Sequence, residues 1–307
     1  MAKSRKNTLV WGTDPEFFVG KTNKKGEVYV VPPVEFRMKY DVPFVPNGTH
    51  PIFLNNTDRG VSVIEDGVAF ELTVRPSTKW EDLFDSVQFG IQMVKDNFTT
   101  PFAGIVDESP HILPTINFNT KKYSREKEEY RNCLIFGCDR DYDACNNNAP
   151  GKEIDAMAHP LRYGGGHIHI SGSKEIKEEP ILAIQYLIMS LGLAAVGYSS
   201  VPELDRKRTG LYGKPGKYRP QEYASLYDSI PNTDFGVEYR TPSNSWTRSK
   251  EHAKKVFEWA EIGIRNLLQD GLGKELMPLY YEESKRSIVE CDQTTALHIL
   301  SEIERKI

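Results

Sequence analysis

Four segments that lie far apart in the sequence alternate apolar and polar side chains with the period of two that is typical of a β-strand. They are residues 11–19, 69–75, 163–171 and 236–240. In such a strand the apolar residues face a core, and the polar residues share an opposite face that is open to water. The alternation predicts that the core face carries Phe17, Val19, Phe70, Leu72, Val74, Ile168, Ile170, Val237 and Tyr239.

The polar positions of these strands carry carboxylates and histidines in place of the mixed polar residues of an ordinary solvated face. If the strands are neighbours, their negative charges repel one another, and divalent cations relieve the repulsion. Mg²⁺ and Mn²⁺ prefer such oxygen-rich ligands with an occasional imidazole. The alternative is four unrelated amphipathic strands with surface ion pairs. The shared face collects Asp14, Glu16, Glu71, His167, His169 and Glu238, with Arg75 and Arg240 at its edge.

Helical periodicity appears in four other segments, residues 78–98, 181–198, 250–268 and 292–307. Thr78 and Glu81 have the spacing of a capping box at the start of the first. The second is apolar nearly all round and approaches the length of a membrane span, but its polar and glycine residues favour a helix buried behind the sheet. Strands and helices do not alternate as βαβ units. The pattern therefore predicts an α+β fold, a largely antiparallel sheet with helices covering one face.

Composition describes a globular protein of 307 residues with 39% hydrophobic and 27% charged residues and a net charge of −4. This balance gives no reason to expect nucleic acid or a membrane as a partner. No repeat or linker divides the chain, so we expect one domain over residues 1–307. The basic N-terminus leads into a strand, which is not the pattern of a signal peptide. The four cysteines show no metal or disulfide spacing, and the prediction is a cytoplasmic protein with reduced thiols.

Two further segments are candidates for contact with substrate. Residues 203–223 are basic and rich in glycine, and a cationic loop of this kind is suited to closing over phosphates or carboxylates as a lid. The alternative is a solvated surface loop. Residues 137–143 imitate the start of a calcium-binding EF-hand loop, but Ala144 replaces the required glycine and Pro150 the required glutamate. The interpretation that is left for this segment is a substrate-contacting loop at the end of a strand, with Asp139 and Asp141 as its candidate acid–base residues.

Five motifs carry a family resemblance: residues 12–17, Asp66-Gly67 with Glu71, and residues 137–139, 164–171 and 238–243. Together they resemble the phage-type COOH-NH2 ligases, amidoligases related to glutamine synthetase and glutamate-cysteine ligase. The resemblance spans residues 9–246. It implies an ATP-dependent ligase that joins a small-molecule or peptide carboxylate to an amine through an acyl phosphate, in the host cytoplasm if phage-encoded. It also implies an open antiparallel sheet, a half-barrel with metals and ATP on its concave face and helices on the outer face.

The resemblance also implies roles for individual residues. Either His167 or His169 meets metal or nucleotide phosphate, and the sequence leaves that choice open. Arg240 matches the arginine that steadies the transferred phosphoryl group or the substrate carboxylate. The implied ligands of Mg²⁺ or Mn²⁺ are Asp14, Glu16, Glu71, His167 and Glu238, and the candidates for contact with ATP or substrate are Arg75, His169, Arg206, Arg208, Lys214 and Arg219.

Two other classes of function stay open at this stage. A metal-dependent amide hydrolase also uses a His-x-His pair with carboxylates, and zinc favours such a mixed set. It has no need of the basic loop or of Arg240. The other class is a binding or structural protein that keeps the fold without turnover. A rise in melting temperature on addition of ATP with Mg²⁺ would distinguish the ATP-dependent ligase from that class.

Overall fold

The computed structural model describes residues 8–24, 27–40, 52–96, 109–123, 130, 133–134, 141–150, 159–221 and 235–307. Its strands are β1 (Val10–Thr13), β2 (Glu16–Thr22), β3 (Val28–Val30), β4 (Ile52–Asn56), β5 (Val61–Asp66), β6 (Ala69–Val74), β7 (Ser109–His111), β8 (Thr115–Asn117), β9 (Tyr142–Asp143), β10 (Ala149–Pro150), β11 (Leu161–Tyr163), β12 (Ile168–Ser171), β13 (Lys217–Gln221) and β14 (Gly236–Tyr239).

Most of the helical residues lie in the C-terminal half of the chain. Two helices run on into π-helical segments, Ile188–Gly192 between α5 and α6 and Gly263–Gln269 after α8, and Asn244–Arg248 form a 3₁₀ turn. The helices are α1 (Pro33–Tyr40), α2 (Trp80–Val94), α3 (Thr120–Tyr123), α4 (Lys174–Glu178), α5 (Pro180–Leu187), α6 (Leu193–Gly197), α7 (Pro202–Thr209), α8 (Lys250–Ile262), α9 (Gly273–Glu290) and α10 (Gln293–Glu304).

The strands form two larger sheets and a short ladder, and every strand pair in the described part of the chain is antiparallel. The first sheet has the order β1-β12-β14-β13-β9-β10. The second has the order β3-β2-β6-β5-β4, with β7 also paired to β2, and β11 pairs with β8 in the ladder. Helices combined with antiparallel sheets confirm the α+β class. A single half-barrel sheet stays a prediction.

The core lies between the apolar faces of the sheets and the helices, as the alternation predicts. All nine side chains predicted for the core face are buried in one cluster. The same cluster contains Leu187 of α5 and Phe257 of α8, and α2 packs on β5 and β6. Burial of this apolar surface is the main favourable term in folding. The alternation in four short strands therefore predicted the correct side of each sheet.

Part of the opposite face of the second sheet is covered, which differs from the predicted open face, whereas Thr73 on the same face is exposed. Phe18 of β2 and Ala69 of β6 lie on the polar side, yet both are buried in a smaller core. Residues of α1, β8 and α3 contribute to that core, together with Val68, Phe118, Tyr130 and Cys133. The polar side chains beside Phe18 and Ala69 therefore lie between two apolar layers, so their charges are poorly solvated.

All four predicted helices lie close to their expected positions, with differences at their ends. The predicted helix 250–268 is α8 together with its π-helical continuation to Gln269. The helix after β6 begins at Trp80, and the Lys79 N–H bonds to Ser77 Oγ, so the predicted capping box of Thr78 and Glu81 does not form. The predicted helix 292–307 is α10, which begins at Gln293 and is capped by the Asp292 side chain. The apolar helix is long and apolar enough to cross a membrane over Pro180–Gly197, and 78% of this window is buried inside the protein.

The basic segment 203–223 forms ordered structure over most of its length, which corrects its description as a loop. Its first part is the end of α7, and its last described part is β13, while residues 222–223 lie outside the described residues. Five of the eight residues of α7 are charged, so the sequence shows no apolar stripe that would reveal a helix. Its role as a lid remains a prediction. The helix α9 was also missed.

Candidate metal centre

The junction between β1 and β2 brings the two sheets together. Asp14 and Pro15 connect the strands, and the Leu72 N–H of β6 donates to the Pro15 carbonyl at 3.0 Å. The Thr13 hydroxyl donates to the His167 carbonyl at 2.7 Å. Asp14 therefore lies beside the first sheet, while Glu16 opens a strand of the second.

Asp14, His167 and Glu238 form the first cluster of metal-ligand type, which we call the first triad. Nδ1 of His167 lies 3.3 Å from Asp14 Oδ1 and 3.3 Å from Glu238 Oε1. His169 approaches the triad from one side, with its Nε2 at 3.3 Å from Asp14 Oδ1. Both histidines therefore share the polar face, and His167 is the one that contacts two carboxylates.

Glu16, Asp66 and Glu71 form the second triad. Glu16 faces Glu71 across the β2–β6 pair, and Asp66 ends β5 at the turn into β6. Candidate ligand atoms in each triad lie within 4.8 Å of one another. All three side chains of the second triad are carboxylates, which is the ligand chemistry that Mg²⁺ and Mn²⁺ prefer.

Gly165 separates the two triads and makes their close approach possible. Its N–H donates to Glu16 Oε2 at 2.8 Å, and its carbonyl accepts from the Glu16 N–H at 2.9 Å. A Cβ atom at this position would lie 2.5 Å from His167 Nε2 and 3.2 Å from Glu16 Oε1. Only a residue without a side chain allows both groups to stay in place.

The carboxylates of the first triad are stabilised in their charged form. Burial would raise the pKa of Asp14, but His169 and His167 lower it to about 2. Burial likewise opposes ionisation of Glu238, yet Arg240 and His167 hold its pKa well below the ordinary value. The Asp14 carboxylate in turn raises the pKa of His169 against the effect of burial. Cationic groups already balance the charge of this triad.

In the second triad, burial and neighbouring carboxylates outweigh the effect of the nearby cationic groups. Burial, with Asp66 beside it, raises the pKa of Glu16 to about 7. Burial and the carboxylates of Asp14 and Asp66 raise the pKa of Glu71 well above its ordinary value. Like charges that share a buried site cannot all ionise without a counterion. This triad therefore takes up either protons or a cation.

Arg240 is the guanidinium nearest the carboxylates of the first triad. It is 2% exposed, and it donates from Nη1 to Glu238 and from Nη2 to the Tyr212 hydroxyl. Arg219 lies opposite Glu238 in the β13–β14 register, with Nη1 at 3.8 Å from Glu238 Oε2. Two of the predicted arginines, Arg240 and Arg219, therefore lie beside the first triad.

Four other predicted cations make their contacts elsewhere. Arg75 is exposed and donates to the Thr57 carbonyl in the turn between β4 and β5, and the Lys214 side chain is exposed. Arg206 donates to the Glu290 carbonyl of α9. Arg208 is buried with its guanidinium on main-chain carbonyls. Their predicted contacts with ATP or substrate remain untested.

Asp66 is the ligand-type residue that residue patterning did not assign. The Asp66-Gly67 pair reads as a hairpin turn, and Gly67 does have a positive φ of 58°. The available signal was parity, because Asp66 and Glu71 lie on the same face of a tight β5–β6 hairpin.

Asp139 lies outside the described residues, whereas Asp141 forms an ion pair with Lys217 at 3.4 Å.

The side chains of both triads fit divalent cations. The first triad offers two carboxylates and an imidazole, and the buried His167 Nε2 has no hydrogen-bond partner within the described part of the chain. The second offers carboxylate oxygens alone. The mixed first set also suits zinc, and the second suits harder ions.

The sequence matches no protein family model. No curated protein matches it either. Among solved structures, it is similar to a crystal structure of a novel glutamine synthase homolog, with a TM-score of 0.40, 11% identity, and coverage of 96% of this chain and 67% of that chain. It is also similar to apo GmaS without ligand, with a TM-score of 0.40, 13% identity, and coverage of 96% and 66%. This chain thus spans about two thirds of the length of each.

Proposed function

We propose that this protein is an ATP-dependent ligase that joins a carboxylate to an amine. The observation that carries the proposal is the meeting of two carboxylate-rich triads on one face, with Arg240 bonded to Glu238 of the first triad. The motif resemblance over residues 9–246 supports the same class. We infer that the two triads lie on the concave face of a half-barrel sheet. We also infer that the substrates are small molecules or peptides and that the protein acts in the cytoplasm.

The proposed reaction has two steps. The substrate carboxylate takes the terminal phosphoryl group of ATP and ADP leaves, and the amine then replaces phosphate at the acyl carbon. Divalent ions held by Asp14, His167 and Glu238 and by Glu16, Asp66 and Glu71 would neutralise phosphate oxygens. Phosphoryl transfer depends mainly on positioning and electrostatics, which agrees with a site of carboxylates and arginines.

The chain's own cations have distinct roles in this proposal. Arg240 holds a fixed positive charge at the buried end of the face, where negative charge develops during phosphoryl transfer. Arg219 is more exposed, at the mouth of the same face, and suits contact with an anionic substrate. Asp141 lies two residues before Asp143, which pairs in register with Lys217, and it is the described candidate for taking the proton of the amine.

A metal-dependent amide hydrolase is the competing function, and the first triad is compatible with it. Two features favour the ligase. The second triad is built of hard carboxylate ligands, and Arg240 lies in direct contact with a ligand-type carboxylate. A hydrolase needs neither ATP nor this guanidinium, so the two functions differ in what they consume.

The deciding experiment supplies ATP, Mg²⁺ or Mn²⁺, and pools of amino acids, polyamines and peptides. A ligase releases ADP only when an amine is present, and mass spectrometry finds a product lighter than its two parts by one water. Arg240→Ala should lower turnover without weakening ion binding, whereas Arg305→Ala, at the exposed C-terminal end of α10, should leave turnover unchanged. Cleavage of amides without ATP would replace the ligase by the hydrolase.

A further inference from the structure

Helix α7 buries charged side chains on the face that points away from solvent. Asp205 and Arg208 are buried, whereas Arg206 and Lys207 are exposed. Positions three residues apart share one helix face, so Asp205 and Arg208 project to the same side. A buried charge is costly unless it is paired and hydrogen-bonded, so each of these groups must have a specific set of partners.

The Arg208 side chain donates hydrogen bonds to the main chain at and beside Arg240. Its Nη1 donates to the Thr241 carbonyl at 2.6 Å, and its Nη2 donates to the Arg240 carbonyl at 3.2 Å. A fork of two donors on consecutive carbonyls restrains the chain in position and in direction. Arg208 is therefore attached to the residue pair that follows β14.

Tyr212 connects the same two arginines through their side chains. The guanidinium carbon of Arg208 lies 5.2 Å from the centre of the Tyr212 ring. The ring of Tyr163 stacks on the Tyr212 ring, with 5.7 Å between the ring centres. The Tyr212 hydroxyl accepts a hydrogen bond from Arg240 Nη2. Since Tyr212 is held between two partners, its hydroxyl is a fixed acceptor for Arg240.

Asp205 holds the next part of this segment. Its carboxylate accepts hydrogen bonds from Ser243 Oγ and from Ser199 Oγ. Ser243 pairs with Gly165 as an isolated β-bridge, and the Gly166 N–H donates to the Pro242 carbonyl. The segment held by α7 therefore continues directly to the glycine between the two triads.

We propose that Arg208 and Asp205 are positioning residues, which hold Arg240 against Glu238 and contact neither ATP nor substrate. The role of Arg240 in phosphoryl transfer rests on the proposed function, whereas the positioning itself does not. We call Asp205, Arg208 and Tyr212 the clamp. In this proposal α7 holds the site from behind and does not close over phosphates as a lid.

A Mn²⁺ titration, followed by electron paramagnetic resonance with the ion alone, tests the clamp without turnover. Arg240 competes with an ion for Glu238, so Arg240→Gln should tighten binding at the first triad about tenfold. If Arg208 acts by holding Arg240, Arg208→Gln should change the affinity in the same direction and have no further effect in the Arg240→Gln background. Lys207→Gln, on the exposed face of α7, is the matched control and should change nothing.

Two results would overturn the assignment. One is an additive effect of Arg208→Gln on Mn²⁺ affinity in the Arg240→Gln background, which means that Arg208 acts on the site by itself. The other is a crystal structure of ion-free Arg208→Gln in which Arg240 still bonds to Glu238 and Tyr212. Added guanidinium ion should return the affinity of Arg208→Ala toward that of the wild type, which a general loss of fold would not allow.

Tyr212→Phe provides a second variant if Arg208 variants fail to fold. It removes the hydroxyl on Arg240 and keeps the ring under Arg208. A smaller tightening of Mn²⁺ binding that disappears in the Arg240→Gln background supports the clamp, and unchanged affinity contradicts it. Absence of ADP release by the wild-type protein would remove the ligase and leave these results standing.

Discussion

Glu16 and Glu71 face each other directly across the β2–β6 strand pair, and both carboxyl groups are shielded from water. Like charges at directly opposite positions destabilise an antiparallel pair. Asp66 adds a third carboxyl at the same place. The repulsion in the second triad is therefore a property of the folded chain that protons or cations remove.

The first prediction concerns the stability of ion-free protein as a function of pH. The pKa of Glu16 is about 7 in the folded chain and 4.5 ordinarily, so the folded state holds the proton longer and loses stability as pH rises between these values. Glu16→Gln removes this loss. In EDTA, the variant should gain about 3 kcal/mol relative to wild type between pH 4.5 and pH 7, measured by urea unfolding.

The comparison with the variant is needed because His252 has the opposite effect. Burial lowers the pKa of His252 to about 4, so its contribution to stability is lost as pH falls from 6.5. Glu16→Gln keeps that contribution and isolates the carboxyl. A difference between the two proteins that stays constant across this range would show that Glu16 is ionised normally.

The second prediction is that the chain binds two divalent ions at separate triads. Asp66→Asn should weaken one Mn²⁺ site and Glu238→Gln the other, each leaving the second site occupied. Isothermal titration should then find one strong site in each variant and two in the wild type. Asp58→Asn, in an exposed turn, serves as the control. Loss of both ions in Asp66→Asn would mean that the triads form a single site.

The third prediction tests which face of β6 lies in the core. Leu72 is fully buried under Gly90 of α2, whereas its neighbour Thr73 is exposed on the other face. Leu72→Ala should lower the free energy of unfolding by about 2–5 kcal/mol because it leaves a cavity. Thr73→Ala should cost much less. Equal losses in chemical denaturation would contradict the assigned faces.

The fourth prediction separates two adjacent glycines. A Cβ at Gly165 meets the His167 ring and the Glu16 carboxylate, whereas a Cβ at Gly166 meets the Ser243 carbonyl at 2.2 Å. Gly165→Ala should weaken Mn²⁺ binding by about 10- to 100-fold with little change in melting temperature. Gly166→Ala should cost about 1–3 kcal/mol of stability because main chain must move. The opposite pattern would place the ion site away from Gly165.

Local patterning predicted the faces of the strands well because the period of two is a property of each strand alone. Phe70, Leu72 and Val74 reveal their side of β6 without knowledge of the neighbouring strand. The same parity brought Asp14, Glu16 and Glu71 toward one face. Pairing across long sequence distances was then enough to form most of both triads.

The remainder depends on contacts that no local pattern records. Arg208 looks like a surface cation in sequence, and its burial follows from carbonyls that lie more than thirty positions later in the chain. The buried face of α7 is charged, so hydrophobic periodicity could not reveal it. Asp66 was hidden by its second role in a hairpin turn.

Asp14 and Glu16 belong to different triads, yet only Pro15 separates them. One extra residue at this junction would invert the parity of β2, sending Glu16 into the core and Phe17 to the acidic face. Both sheets could still form, but the two halves of the centre would no longer meet. The two triads therefore meet only if a single residue separates Asp14 from Glu16. An insertion or deletion at this junction should be more damaging to the site than most substitutions.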